Sequence, residues 1–302
     1  MPSRVLLVRA GALGDLLLLR RTIAALQADG RVVSLLAPSG PAAAVLGDGP
    51  GDVAEVLPWE SARFASLLID GGRTDEHAAR NLRGYDAAIA YTRSETLAHN
   101  LARLISAVVR RDPSPPAGGP HAAEWLASAL RELGISPDAA PAPLVPSAAD
   151  ARRARATLDR LPPAFLAIHP GSGSASKNWG AERFAALARR IAPERWLLVH
   201  GPADDQAVSG LTTAPGACVA RDLPLRVLSA VLARAGAYVG NDSGVTHLAA
   251  ASGAPTIALF GPTDPAVWAP VGPRVRILGG GGSMEGIAVE DVAGAIEGLR
   301  TT

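Results

Sequence analysis

Four segments of this 302-residue chain hold side chains from which a reaction could be assembled. In RAGALGD (Arg9 to Asp15), Gly11 and Gly14 let a turn approach a ligand closely, and Asp15 places a carboxylate at a helix start. The spacing is not the G-x-G-x-x-G of a dinucleotide turn, and an acidic group there repels phosphate. Asp15 therefore points away from phosphate binding, with helix capping as the plain alternative. HPGSGSASKNWG (His169 to Gly180) joins small residues, Ser174 among them, to Lys177, the only lysine beside 28 arginines. An ammonium on a flexible stem can follow a diphosphate, whereas a solvated surface charge would do nothing. HGPADD (His200 to Asp205) offers Asp204 or Asp205 as acceptors for a sugar or ribose hydroxyl, or as a helix cap.

The fourth segment, GNDSGVTHLAAASGAPTIALFGPTDP (Gly240 to Pro265), is the most telling. A strand ends at Gly240, a polar turn through Asp242, Ser243 and Gly244 opens a helix, and a second strand runs out at Gly261, Pro262 and Thr263. Backbone N–H groups at such a helix start suit a phosphate. His247 lies one helical turn after Ser243, on the same face, and Thr263 borders the same edge. Each also has a structural use, His247 as a packed helix residue and Thr263 in an ordinary turn.

The elements that must position these residues read as two βα arrays in series. Expected strands are Val5 to Arg9, Val32 to Ala37, Ala87 to Tyr91, Phe165 to His169, Trp196 to His200, Ala237 to Gly240 and Thr256 to Phe260. Helices are expected over Asp15 to Ala28, Leu97 to Val109, Ala122 to Leu133, Arg183 to Ile191, Leu225 to Arg234 and Val245 to Ser252. Prolines between Ser136 and Asp150 mark a linker, giving domains over 1–143 and 144–302. Two such domains would face each other across a cleft.

Composition narrows the function classes. With 48% hydrophobic and 19% charged residues the chain can bury a sizeable core, and 32 glycines and 25 prolines argue against a fibre or coiled coil. Net charge is +1, so no sequence-wide field draws it to nucleic acid or an anionic membrane. The single cysteine, Cys218, removes internal disulfides and Cys-based zinc sites and points to the cytoplasm. The amino-terminal segment lacks the pattern of a signal peptide, and no run of about 18 apolar residues could span a bilayer; peripheral attachment is left open. No metal-ligand cluster appears, and no cofactor is expected.

Taken together, the quoted segments resemble glycosyltransferase family 9, the ADP-heptose:lipopolysaccharide heptosyltransferases, in order and spacing from the first strand to residue 265. The resemblance implies a GT-B type α/β fold, two Rossmann-like domains facing an interdomain cleft, acceptor side first and nucleotide-sugar side second. It implies an inverting, metal-independent transfer of a heptose or related sugar from ADP-heptose, or a similar nucleotide sugar, to a glycan, glycolipid or small-molecule hydroxyl. Asp15 would be the general base and Lys177 the partner of the donor diphosphate. Asp242, Ser243, Gly244 and His247 would hold the phosphates and neighbouring sugar, with Gly14, Ser174, Asp204 and Thr263 as further substrate contacts. The stretch from Trp59 to His121 carries no acceptor pattern; Arg63, Arg73, Arg80, Arg83, Arg93, Arg110 and Arg111 are only candidates for meeting an anionic acceptor. The resemblance implies a cytoplasmic enzyme that can work at the inner face of the membrane. Its rivals are a nucleotide-sugar epimerase of the same architecture and a non-catalytic nucleotide-sugar-binding protein.

Overall fold

A computed structural model describes residues 2–300, and the chain divides into two compact units, Met1–Ala142 and Pro143–Thr302. The first unit holds one five-stranded parallel sheet. Its strands are β1 (Arg4–Val8), β2 (Val32–Ala37), β3 (Glu55–Pro58), β4 (Ala87–Tyr91) and β5 (Ala107–Arg111), in the order β3-β2-β1-β4-β5. The second unit holds a six-stranded parallel sheet of β6 (Leu166–His169), β7 (Trp196–His200), β8 (Ala217–Arg221), β9 (Ala237–Asn241), β10 (Thr256–Phe260) and β11 (Val275–Gly279). Their order is β11-β10-β9-β6-β7-β8. Both sheets are doubly wound, and in each the order reverses beside the unit's first strand. In such sheets the connections on the two sides run opposite ways and leave a crevice at the carboxyl ends of the two strands.

The central strands form because they are continuous apolar runs that helices cover on both faces. Residues 5–8 of β1 and all of β4, β9 and β10 are buried. Register carries the chemistry to the switch points: Val8 pairs with Ala90 in the first sheet, and His169 with Gly240 in the second. Gly240 also lies where the Tyr238 hydroxyl and Thr246 Oγ1 would collide with any Cβ, so the strand end is drawn tight against the following helix. In the second unit Trp179, Phe184, Leu198, Val239 and Leu259 share one core; in the first, Leu6, Leu36, Ala88 and Leu101 do.

Several expected boundaries shift. The helix expected over Leu97 to Val109 spans Glu95–Ala102, and Ala107–Arg111 instead forms β5, since the β-branched pair Val108-Val109 favours an edge strand. The single helix expected over Asp15 to Ala28 is two, Leu13–Leu18 and Arg20–Ala28, joined at Leu19. The helix expected over Ala122 to Leu133 stays α-helical through Ser128 and tightens to a 3₁₀ turn over Ala129–Leu133. The proline-rich linker ends sooner than expected, because Ser147 and Asp150 form a capping box that starts a helix over Ala148–Leu158.

Candidate functional site

Asp15 and Gly14 in the first unit, and Lys177, Asp242, Ser243 and Gly244 in the second, lie at the switch points of their sheets. In the second unit, β6 ends at His169 and its loop runs through Pro170 to Lys177, while β9 ends at Asn241 and leads into Asp242 and Ser243. Asn241 ties the two loops together: its Nδ2 donates to the Pro170 carbonyl at 2.7 Å, and its Oδ1 accepts the Trp179 backbone N–H at 3.1 Å. Trp179 is itself a buried anchor, donating from its indole to the Ile287 carbonyl at 2.8 Å and meeting Phe184 edge-on at 5.0 Å.

Held this way, Lys177 Nζ donates to Asp242 Oδ2 at 2.7 Å. The lysine side chain is 30% exposed and the aspartate 10%, so the ammonium is paired yet still reachable from solvent. Ser243 is the N-cap of the helix Gly244–Ala251, and its hydroxyl accepts the Thr246 N–H. Gly244 and Val245 lead that helix, where N–H groups have no carbonyl four residues back to bond and the helix dipole favours an anion. The Lys177 ammonium is thus held on Asp242, the residue immediately before the N-cap of a helix whose start suits an anion.

Beneath this surface runs a buried chain of polar contacts. His169 Nε2 lies 2.9 Å from Asp204 Oδ2, and His169 Nδ1 lies 3.2 Å from the Ser243 hydroxyl. Asp204 also accepts the Gly201 N–H at 2.7 Å. Burial pushes the Asp204 carboxyl up, but the hydrogen bond and charge of His169, with the Gly201 N–H, outweigh it and hold the carboxyl below its ordinary value. Since a carboxylate only accepts, Nε2 carries a proton and donates to Asp204, while Nδ1 faces the Ser243 hydroxyl. Asp204 thus turns inward within a run of turns and caps no helix. Its neighbour Asp205 turns outward, where His200 Nε2 lies at 2.9 Å and Arg221 Nη1 at 3.5 Å.

The remaining candidates of this unit border the same edge. Ser174 caps the 3₁₀ turn Ala175–Lys177. His247 is buried in the first turn of its helix. Thr263 is half-buried past the end of β10, and Asp264 beside it caps the short helix Pro265–Trp268. Among the described residues no group of three or more His, Cys, Asp or Glu side chains could hold a metal ion. A groove of about 900 Å³, lined by Arg160, Leu161, Phe165, Ile191 and Arg195, opens by the amino ends of β6 and β7. That is the opposite edge of the sheet from the lysine and the helix start.

In the first unit Asp15 is the third residue of the helix Leu13–Leu18, Gly14 the second, and the N-cap is Ala12. Asp15 Oδ2 folds back to accept the Ala12 N–H at 2.9 Å, and Oδ1 accepts from Arg9 Nη2 at 2.6 Å. The turn depends on Gly11, whose Cβ would fall 2.7 Å from the Asp15 Cβ. Arg9, at the end of an expected strand, is 2% exposed. A basic residue closing an apolar strand six positions before an acid was the available signal. Of the arginines considered for an anionic acceptor, Arg93 pairs with Asp112, Arg110 with Glu95, and Arg111 with Glu132.

Comparison with known proteins agrees with the fold described. The model of glycosyltransferase family 9 (heptosyltransferase) matches residues 94–290, and the chain belongs to that family. It is 34% identical to lipopolysaccharide heptosyltransferase 1 of Pseudomonas aeruginosa over 158 residues, which make up 50% of this chain and 42% of that protein. The chain thus matches about half the length of the curated relatives. Solved structures share the whole fold. The glycosyl transferase family 9 structure from Veillonella parvula superposes with a TM-score of 0.80 at 21% identity, covering 99% of this chain and 97% of that one. The E. coli heptosyltransferase WaaC with ADP gives 0.73 at 22%, covering 98% and 99%. The fold is of the GT-B type, with two Rossmann-like α/β domains.

Proposed function

We propose that this chain is an inverting heptosyltransferase that takes the sugar from ADP-heptose, or a closely similar nucleotide sugar, and delivers it to a hydroxyl of a lipopolysaccharide-type glycan. The observation that carries the reading is the Lys177 ammonium beside the Ser243–Gly244 helix start, at a sheet switch point, in a chain of this family. Support for the donor comes from the solved E. coli structures with ADP and with a fluorinated ADP-heptose.

In this reaction the acceptor oxygen attacks the anomeric carbon, the bond from that carbon to the diphosphate oxygen breaks, and ADP leaves with the electron pair. Lys177 and the backbone N–H groups at Gly244 and Val245 would take up the negative charge that grows on the leaving group. Asp15 would accept the acceptor's proton. Its two oxygens each carry one hydrogen bond, its side chain is 33% exposed, and a carboxylate oxygen retains a second lone pair for that proton. His169 and Asp204 would act beneath the donor by fixing the Ser243 cap, and Ser174, His247 and Thr263 would line its surroundings. The cytoplasmic location, with contact at the inner membrane face, belongs to the same proposal; the free, buried Cys218 suits a reducing compartment. Among the described residues no helix is long and apolar enough to cross a membrane.

The test is incubation of the purified protein with ADP-heptose, alone and with lipopolysaccharide from heptose-deficient cells. Acceptor-dependent ADP release with one heptose added to the glycan is expected, its anomeric configuration inverted by NMR. A changed sugar without acceptor would mean an epimerase, and binding without turnover a sensor.

A further inference from the structure

We propose that Arg9 is a positioning residue for transfer, holding the Asp15 carboxylate in the one orientation from which it can take the acceptor's proton. This rests on the reading of Asp15 as the base and adds to it a second residue with its own failure mode.

The geometry is that of a fixed fork. Arg9 Nη1 donates to the Pro113 carbonyl at 3.1 Å and Nη2 to Asp15 Oδ1 at 2.6 Å. One planar group thus joins the end of β1, the loop after β5 and the first turn of the helix Leu13–Leu18. A planar guanidinium bonded at two points cannot pivot, so Asp15 Oδ1 is fixed relative to the sheet. Oδ2 is fixed by the Ala12 N–H at 2.9 Å. Gly11 removes the one Cβ that would push the carboxylate out of this pose.

The arrangement is costly as a mere strut. The guanidinium is almost wholly buried, and among the described residues its Nε has no hydrogen-bond partner. The same unit contains a suitable contrast in Arg20. Its Nη2 bonds the carbonyls of Pro50 and Ala142 and lies 4.0 Å from Asp52, whose side chain is 0% exposed. Both side chains of that pair are buried. Arg9 has an equally buried guanidinium, but the carboxylate it holds is one-third exposed and stands at the switch point of the sheet. Arg9 touches Asp15 and acts electrostatically on the buried Tyr91, whose hydroxyl burial pushes up to about 12. Asp15 is the one of these that reaches solvent while touching Arg9.

A carboxylate free to swing is misplaced, and about 1 Å of misplacement costs about 100-fold in rate, so turnover should fall when Arg9 is removed.

The experiment compares Arg9→Met, Arg9→Lys and Asp15→Asn with the wild-type chain, using ADP-heptose and heptose-deficient lipopolysaccharide, with ADP binding by calorimetry as control. Arg9→Met should lower kcat about 10- to 100-fold while KM for the donor and ADP affinity stay within about twofold. Arg9→Lys keeps the charge but has one donor point for two partners, so it should recover part of that loss. Unchanged kcat in Arg9→Met overturns the proposal, as does parallel loss of ADP binding and turnover in both Arg9 variants, which would mark a purely structural role. Should Arg9→Met not fold, a wild-type kcat in Arg9→Lys overturns it. An active Asp15→Asn enzyme would instead refute Asp15 as the base, a separate result.

Discussion

The chain's only lysine, Lys177, donates to Asp242 at 2.7 Å across 65 positions of sequence, immediately before the residue that caps the helix Gly244–Ala251. The pair holds the ammonium against the loop from which a donor diphosphate would be met. A ligand must therefore share Lys177 with Asp242 or draw it away.

Removing Lys177 should weaken nucleotide binding directly. A hydrogen bond to a charged group contributes about 1.5–3 kcal/mol, so Lys177→Ala should raise the Kd for ADP about 10- to 100-fold by calorimetry. Unchanged affinity would leave Lys177 as the partner of Asp242 and nothing more.

Asp15→Asn should separate chemistry from binding. The substitution is nearly isosteric, and its amide oxygen can still accept from Arg9, so the buried guanidinium keeps a partner. ADP affinity should hold while turnover falls by the roughly 10²–10⁴-fold typical of a lost general base. A fully active variant would return Asp15 to its role in closing the helix start.

Gly171 tests how firmly Asp204 is fixed. A Cβ there would stand 1.9 Å from Asp204 Oδ1, and that carboxylate cannot retreat without breaking its bonds to His169 and the Gly201 N–H. Gly171→Ala should destabilise the protein by about 1–3 kcal/mol in denaturant unfolding. Gly173→Ala, where a Cβ meets nothing within 4 Å, should be close to neutral. Equal stability of the two variants would show that Asp204 is mobile.

The same carboxylate sets a pH dependence. Its value in the folded chain is depressed, so the unfolded state binds the proton more readily and folding gains stability wherever Asp204 is ionised. The contribution is fully present above the unfolded value of about 3.9 and is lost as pH falls through the lower folded value. Asp204→Asn should cost about 1–3 kcal/mol at neutral pH, with the difference from wild type shrinking below about pH 4. A gap that stays constant into strong acid would contradict this.

Much of the fold was legible because its central strands announce themselves. β1, β2, β4, β6, β7, β9 and β10 are short apolar runs bounded by turn residues, covered on both faces and therefore unambiguous in sequence. The four strands that escaped reading, β3, β5, β8 and β11, are the four sheet edges. Each is only partly buried, and its sequence mixes polar and apolar residues or ends in arginine. Edge strands are defined by a neighbour, and that neighbour lies elsewhere in the chain.

The site divides in the same way. The sequence by itself determined where the candidate loops lie, because a strand, a polar turn and a helix in succession set the Asp242–His247 segment at a sheet edge wherever the chain folds as parallel βα units. Only the tertiary structure decided what each side chain does there. Asp204 and Asp205 are neighbours with equal claims in sequence, yet one turns inward to His169 and the other outward to solvent. Arg9 reads as the last residue of a strand until the turn at Gly11 brings Asp15 back against it. Local spacing fixes backbone direction over a few residues, whereas partners in an ion pair or buried hydrogen bond are chosen by strand order and packing, which join residues far apart in the chain.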